Sequence, residues 1–303
     1  MKRLLLYLSG GIIVVGSVFA FGATRVYGLD EYQCLSCHGN PQLTKTNADG
    51  KVISLYVSQA DIDASAHRYI DCTTCHGSDP HKVDSPLNKQ SLAQKCGSCH
   101  QYEYQQHAAS VHGQQLAQGN QDVATCVDCH SPTGNPHSVI RVLEYDAPAY
   151  KKNIAQTCAK CHNDSKLMAS YGIVENVYES YMRTFHGKAI QLSSPELSKL
   201  SEATCTNCHG VHDIKAVNDP SSPVAGLANL AKTCEQCHPG AGVNFASGFL
   251  GHKEASADNI PVAHDAEVVF KILLISVISF GAVIVILAIL RFSASKWKVE
   301  HGS

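Results

Sequence analysis

Every cysteine in this chain belongs to one short motif that occurs seven times. The motif is Cys-x-x-Cys-His, so two thiols and one imidazole stand together within five residues. The 14 cysteines are Cys34, Cys37, Cys72, Cys75, Cys96, Cys99, Cys126, Cys129, Cys158, Cys161, Cys205, Cys208, Cys234 and Cys237. The closing histidines are His38, His76, His100, His130, His162, His209 and His238. No cysteine is left over, and a disulfide framework would not place a histidine after every second cysteine.

Cys-x-x-Cys-His is the signature of covalent c-type haem attachment. The two thiols bond to one porphyrin, and the histidine that follows becomes an axial ligand of its iron. Zinc is the alternative, because cysteine and histidine are also zinc ligands. Seven copies, each with the adjacent histidine, favour seven covalently bound haem c groups. We number the motifs 1 to 7 in chain order.

Other histidines can supply the ligand on the second face of each iron. Seven of the 17 histidines close motifs, and only two methionines follow Met1, so bis-histidine ligation at low reduction potential is expected. Candidates that recur along the chain are His67, His81, His112, His137, His186 and His212. His252 and His264 are alternatives for the haem nearest the membrane. His107 fits the pattern less well and is treated as a spare.

The motifs after the first alternate between two kinds. One kind reads "IDCTTCHGSDPH", "ATCVDCHSPTGNPH" and "ATCTNCHGVH", and the other reads "LAQKCGSCH", "IAQTCAKCH" and "LAKTCEQCH". Three two-motif repeats therefore follow one leading motif. Self-similarity of this sort predicts a modular, nearly one-dimensional build.

Local patterns predict how some of these histidines are presented. The apolar spacing in "LMASYGIVENVYESYMRTFHG" predicts one helix with His186 at its end and Gly187 as its C-terminal cap. Around Asp49 and Gly50 we expect a turn and a short strand, followed by a helix that Asp61 caps and that leads to His67. The remainder outside the membrane is expected to be loop.

Two apolar segments lie outside the motifs. Residues 1–23 carry Lys2 and Arg3 before an apolar run, as in a signal sequence. The uncharged run from Ile272 to Leu290 is long enough for one membrane span, although a buried helix is an alternative. Basic residues follow it, so the C-terminus is expected in the cytoplasm. We therefore expect a signal sequence over 1–23, a periplasmic heptahaem domain over 24–264, a transmembrane helix over 265–292 and a cytoplasmic tail over 293–303.

The chain between the two apolar segments is short for the number of motifs that it carries. Roughly 34 residues per haem cannot bury an adequate core alone, so we expect the porphyrins to form the core. The predicted fold is mostly α-helix and loop with little β-structure and one C-terminal transmembrane helix. A net charge of −2 without a basic patch predicts no nucleic-acid partner.

Several segments resemble the membrane-anchored multihaem c-type cytochromes of metal- and sulfur-reducing bacteria. They are "CLSCHGNP", "DGKVISLYV", "YESYMRTFHGKA", "CTNCHGVHDI" and "CEQCHPGAGVNF", followed by the C-terminal helix. The pattern looks most like the heptahaem c subunit that partners a b-type cytochrome in Geobacter-type bc quinol oxidoreductases. The resemblance implies an inner-membrane protein of anaerobic respiration. It would take electrons from a quinol-oxidising membrane subunit and pass them to periplasmic c-type cytochromes.

Three functions follow from these observations. The first is an electron-transfer subunit that is not catalytic alone. The second is a terminal multihaem reductase for nitrite, hydroxylamine or a sulfur oxyanion, which needs an iron with an open face. No motif marks such an iron, since all seven keep the ordinary histidine. The third is direct quinol oxidation by this chain, for which a single membrane helix offers few walls.

The sequence predicts a measurable role for His137. Replacing it by alanine should leave one iron without its distal ligand and lower the fraction of low-spin haem in the visible and EPR spectra. An unchanged spectrum would show that His137 is not a ligand.

Overall fold

A computed structural model describes residues 29–47, 49–82, 88–173, 176–193, 202–249, 251–253 and 261–301. The predicted signal sequence lies outside these residues. The helices and strands are α1 (Leu29–His38), β1 (Thr44–Thr46), β2 (Val52–Ser54), α2 (Gln59–Ala64), α3 (Cys72–His76), α4 (Lys89–Gly97), α5 (Gln101–Ala109), α6 (Val111–Ala117), α7 (Cys126–His130), α8 (Ile154–His162), α9 (Ser165–Ser170), α10 (Val177–Arg183), α11 (Phe185–Leu192), α12 (Cys205–His209), α13 (Gly226–Glu235), α14 (Val243–Ala246) and α15 (Pro261–His301). Short 3-10 helices cover Pro80–Lys82 and Pro136–Ser138. The predicted mostly helical fold with little strand is confirmed.

The chain divides into two compact units. The first contains Met1–Ile62 and Arg68–Ser85, and the second contains Asp63–His67 and Pro86–Ser303. Motifs 1 and 2 belong to the first unit, where α1 packs against α3. Motifs 3 to 7 belong to the second. The prediction of one haem domain over 24–264 stays a prediction.

Each motif lies on or at the end of a short helix, where the sequence had suggested loop. Helices α3, α7 and α12 consist of the five motif residues alone, and α1 and α8 end at the motif histidine. Motifs 3 and 7 begin in the last turns of α4 and α13. Residues at i, i+3 and i+4 share one face of a helix, so each of these turns presents both thiols and the imidazole together.

Two of the five-residue helices are held at their start by reciprocal capping. The backbone N–H of Thr125 donates to Asp128 Oδ2 at 2.7 Å, and that of Thr204 donates to Asn207 Oδ1 at 2.8 Å. Both helices carry the complete capping box. Because isolated helices of this length are unstable in water, the caps are needed to fix where the motif begins.

The predicted turn and strand after motif 1 are confirmed as an antiparallel hairpin of β1 and β2. Gly50 sits in the turn with φ +77°, a conformation that glycine adopts without strain. The prediction that Asp61 caps the next helix is wrong. Asp61 lies in the first turn of α2, and its N–H donates to the hydroxyl of Ser58 at 3.2 Å. The helix ends at Ala64, before His67.

The single helix predicted to end at His186 is also wrong. The structure has α9, α10 and α11 there, and His186 lies in the first turn of α11. The break comes at Thr184, whose hydroxyl accepts from the N–H of Gly187 at 3.1 Å and so starts a new helix. Gly187 is not a C-terminal cap. A Cβ there would lie 2.3 Å from the Tyr181 carbonyl oxygen, so the two helices meet too closely for a side chain.

The described residues bury few large side chains. The buried apolar side chains are six alanines together with Leu116, Val127, Met168, Tyr181 and Ile190, and the largest fully buried side chains are serines: Ser110, Ser131 and Ser222. A domain of this length would ordinarily bury many leucines and phenylalanines. The helices are therefore not packed on a side-chain core of ordinary size.

The C-terminal helix α15 runs from Pro261 to His301 and is longer at both ends than the predicted span. Its stretch His264–Ala294 is long and apolar enough to cross a membrane, and none of its most apolar window is buried by protein. Apolar side chains such as Ile275, Phe280 and Leu287 are all more than half exposed. An apolar surface on every side of a helix fits contact with lipid.

The close helix junctions give a stability prediction. Gly113 repeats the Gly187 arrangement, and a Cβ there would lie 2.0 Å from the His107 carbonyl oxygen. We expect Gly113→Ala to lower the free energy of unfolding by about 1–3 kcal/mol, because the added methyl group would overpack the junction. Gly242→Ala is the control, because φ at Gly242 is −91° and its Cβ would meet nothing within 4 Å. Thermal unfolding of the full chain in detergent checks this, and equal melting temperatures for the two variants would contradict it.

Candidate haem-binding site

Six histidine rings of the motifs each lie opposite one histidine ring from outside the motifs. The ring centroids are 6.1 to 6.4 Å apart in every pair. The pairs are His38 with His81, His67 with His100, His112 with His162, His130 with His212, His186 with His238, and His209 with His252. Each pair contains one histidine of each kind, which chance aromatic packing would not produce.

The spacing of the pairs fits two imidazoles that share one metal ion. A metal–nitrogen bond of about 2.0 Å and a ring radius of about 1.1 Å on each side place the centroids about 6 Å apart. Face-to-face contact would bring parallel rings much closer. The interplanar angles range from 12° to 51°, whereas the distances hardly change. A common nitrogen–metal–nitrogen axis has this property, because each ring can turn about it.

The cysteines fit covalent attachment to a porphyrin. None of the 14 forms a disulfide, and each is at least partly accessible. The zinc alternative requires three or four protein ligands around one ion. Within the part of the chain that the structure describes, no group of three or more His, Cys, Asp or Glu side chains could hold a metal ion. The residues present therefore fit haem c, in which the macrocycle supplies the equatorial ligands.

Hydrogen bonds fix the orientation of three of these histidines. His38 Nδ1 lies 2.8 Å from the Leu55 carbonyl oxygen at the end of the hairpin, so it carries the proton. His137 Nδ1 lies 3.0 Å from Asn135 Oδ1, and His252 Nδ1 lies 3.1 Å from Ser180 Oγ. A proton held on Nδ1 leaves the Nε2 lone pair for a metal. The sequence did not identify Leu55, Asn135 and Ser180 as hydrogen-bond partners of these rings. Of the three, only Asn135, in "NPH", lies in a pattern typical of a turn.

Burial keeps many of the paired rings in the neutral form that binds metals. Seven histidines have a lowered pKa, and desolvation by burial is the largest cause for each: His67, His112, His130, His162, His186, His209 and His252. For His112 it lowers the pKa to about 4, and His162 and His107 add to the effect. A metal ligand must be unprotonated, so these surroundings favour coordination.

Motifs 3 to 7 contact one another in chain order. The Cys96 and Cys126 thiols lie close enough to interact, and this interaction and then burial raise the pKa of Cys126. Cys158 and Cys205 make the equivalent contact between motifs 5 and 6. Helix α7 packs on α8 between motifs 4 and 5, and α12 packs on α13 between motifs 6 and 7. Five attachment sites therefore follow each other without a gap in the second unit.

The pairing shows how neighbouring repeats are joined, while the nearly one-dimensional build stays a prediction. His67, His112 and His186 each pair with the second motif of their own repeat. His212 and His252 instead pair with motifs 4 and 6, which lie further back in the chain. His252 thus pairs within the last repeat, whereas His212 pairs with a motif of the preceding repeat.

The remaining candidate histidines have different positions. His137 lies in the 3-10 helix Pro136–Ser138 of the second unit and His76 ends α3 of the first unit, and their roles as ligands stay predictions. Among the described residues no motif ring lies against His264, which is in the first turns of α15. His107 Nε2 lies 3.0 Å from the Ala124 carbonyl oxygen and so acts as a hydrogen-bond donor.

One comparison with known proteins bears on this site. A family model with the description "Doubled CXXCH motif" matches residues 114–167, which contain motifs 4 and 5. The match indicates a multihaem c-type cytochrome. No curated protein and no solved structure matches the chain.

The different positions of His186 and His264 give a prediction. His186→Ala should remove one ring of a pair and open one iron, so that about one haem in seven becomes high-spin and binds carbon monoxide when reduced. His264→Ala should leave every haem low-spin. Visible and EPR spectra of the two purified variants decide this. A high-spin signal in His264→Ala alone would reverse the assignment.

Proposed function

We propose that this chain is a membrane-anchored heptahaem c-type cytochrome that carries electrons between an inner-membrane partner and periplasmic cytochromes. The observation that carries the proposal is the set of six histidine pairs at 6.1 to 6.4 Å. When bound, the haems supply one-electron redox chemistry. The protein's part is to hold them, to set their surroundings and to keep them in sequence.

In this proposal the seven motifs attach seven haems through their 14 cysteines, and the motif histidines are the proximal ligands. The distal ligands are His67, His81, His112, His137, His186, His212 and His252. His252 is preferred to His264 because its ring lies 6.2 Å from that of His209. Histidine on both sides, with carbonyl and hydroxyl acceptors on Nδ1, favours low reduction potentials.

The paired rings argue against the reductase alternative. A substrate such as nitrite must reach an open coordination position. In six motifs a second imidazole stands where that position would be. The arrangement therefore favours electron transfer over bond-making chemistry, and we expect the chain not to be catalytic alone.

The order of motifs in the second unit suggests the direction of transfer. Motifs 3 to 7 follow one another in contact, and motif 7 is nearest in sequence to α15. Arg183, three residues before the His186 that pairs with motif 7, lies within electrostatic range of Glu267 on α15. We propose that electrons enter at motifs 6 and 7, beside the membrane, and leave towards the lower-numbered motifs.

The membrane helix suggests the partner. Within the described residues, one helix exposes apolar residues on all sides and encloses no quinone pocket, which favours a separate quinol-oxidising subunit. We propose a b-type cytochrome, with α15 in the inner membrane and the haem domain in the periplasm. Direct quinol oxidation by the chain is the remaining alternative. It predicts activity of the isolated protein with quinol in detergent.

The proposal is tested by haem content, spin state and potential. We expect seven haems per chain by pyridine haemochrome, all low-spin by EPR, with midpoint potentials below zero against the hydrogen electrode. Electrons from quinol should reach the haems only when the b-type partner is added. A native high-spin fraction of about one haem in seven that binds small ligands would instead identify a reductase.

A further inference from the structure

Two helix junctions in the second unit are built in the same way. Before α6, the hydroxyl of Ser110 donates to the His107 carbonyl oxygen at 2.6 Å and accepts from the N–H of Gly113 at 3.1 Å. Before α11, the hydroxyl of Thr184 donates to the Tyr181 carbonyl oxygen at 2.6 Å and accepts from the N–H of Gly187 at 3.1 Å. His107 and Tyr181 therefore occupy equivalent positions, three residues before the capping hydroxyl.

The side chains of these two residues make the same kind of contact. His107 Nε2 donates to the Ala124 carbonyl oxygen at 3.0 Å, and the Tyr181 hydroxyl donates to the Ala203 carbonyl oxygen at 2.9 Å. Each acceptor is the alanine of an Ala-Thr-Cys sequence, which begins motif 4 or motif 6. The donors thus differ in chemistry but reach the same backbone atom of the repeat.

Each contact joins three parts of the proposed electron path. The donor lies between motifs 3 and 4 or between motifs 5 and 6, and its acceptor starts motif 4 or 6. Its helix junction carries His112 or His186, which pair with motifs 5 and 7. The same two boundaries are where Cys96 meets Cys126 and Cys158 meets Cys205. A shift of the Ala-Thr-Cys segment would change the separation of neighbouring attachment sites.

We propose that His107 and Tyr181 are equivalent positioning residues, each of which fixes the spacing of three successive haem sites through one hydrogen bond to an Ala-Thr-Cys segment. His107 is therefore a backbone clamp and not a spare iron ligand. The inference rests on the proposed function, because it concerns the spacing of haems.

The surroundings suit both donors to this role. Tyr181 is only 8 % exposed. Burial is the largest cause of its raised pKa, so the phenol keeps its proton. His107 is half-buried, and its Nε2 proton is fixed by the carbonyl that it faces. Loss of either donor would leave a carbonyl oxygen in a partly buried segment without this bond.

The test compares substitutions that remove the donor with one that keeps it. Tyr181→Phe deletes only the hydroxyl, and His107→Leu deletes the ring donor at similar size. His107→Gln keeps an N–H at about the reach of Nε2 and is the matched control. All variants are purified as full-length chains in detergent. Haem content, the EPR spectrum and the redox titration are measured together.

We expect Tyr181→Phe and His107→Leu to retain seven low-spin haems. Their melting temperatures should fall by about 2–4 °C. Their EPR spectra should also lose part of the spin–spin broadening between neighbouring haems, and the titration curve should change shape. His107→Gln should match the wild type in all three.

Two results would overturn the inference while leaving the proposed function intact. One is a loss of low-spin haem in His107→Gln, which would make His107 an iron ligand. The other is a fall in melting temperature with unchanged spin coupling and titration in Tyr181→Phe, which would make the bond only structural. If His107→Leu fails to assemble, Tyr181→Phe still decides. Fewer than seven haems in the wild type would instead overturn the proposed function.

Discussion

The pairing of histidine rings from distant parts of the chain is the constraint on which the rest of the structure depends. Rings 33 to 82 residues apart in sequence have to meet end to end at nearly one distance. Ordinary apolar packing fixes neither direction nor separation so narrowly, and here it is sparse, since the largest fully buried side chains are serines. The backbone therefore has to deliver each ring accurately by local means.

Those local means are short helices with defined starts. A five-residue helix such as α7 has no stability of its own, but its capping box sets the direction in which its two thiols and imidazole point. The ring that faces the motif histidine is positioned by a hydroxyl cap. The cap ends one helix and starts the next, so that His112 or His186 lies in the first turn of a new helix. The glycine that follows lets the two helices approach closely.

The sequence predicts the chemistry of the site better than its geometry. Residue types and spacing were enough to identify the motifs, and recurrence along the chain ranked His112, His186 and His212 above His107. The helix break at Thr184 was not predictable from apolar periodicity, because the spacing continues through it and only the threonine and glycine signal the junction. Which motif receives which histidine depends on long-range topology, and neighbouring residues carry no information about it.

The pairing of His212 with a motif of the preceding repeat has a consequence for how such a chain can vary. His212 follows motif 6 but faces His130 of motif 4, and His252 faces His209 of motif 6. Removing the last repeat would therefore take a ring away from motif 4 as well as removing motifs 6 and 7. A stack of independent modules could lose its last member without such damage. The repeats in this chain are similar in sequence, but motif 4 depends on the last repeat for the ring that faces its histidine, so the last repeat cannot be removed without affecting the one before it.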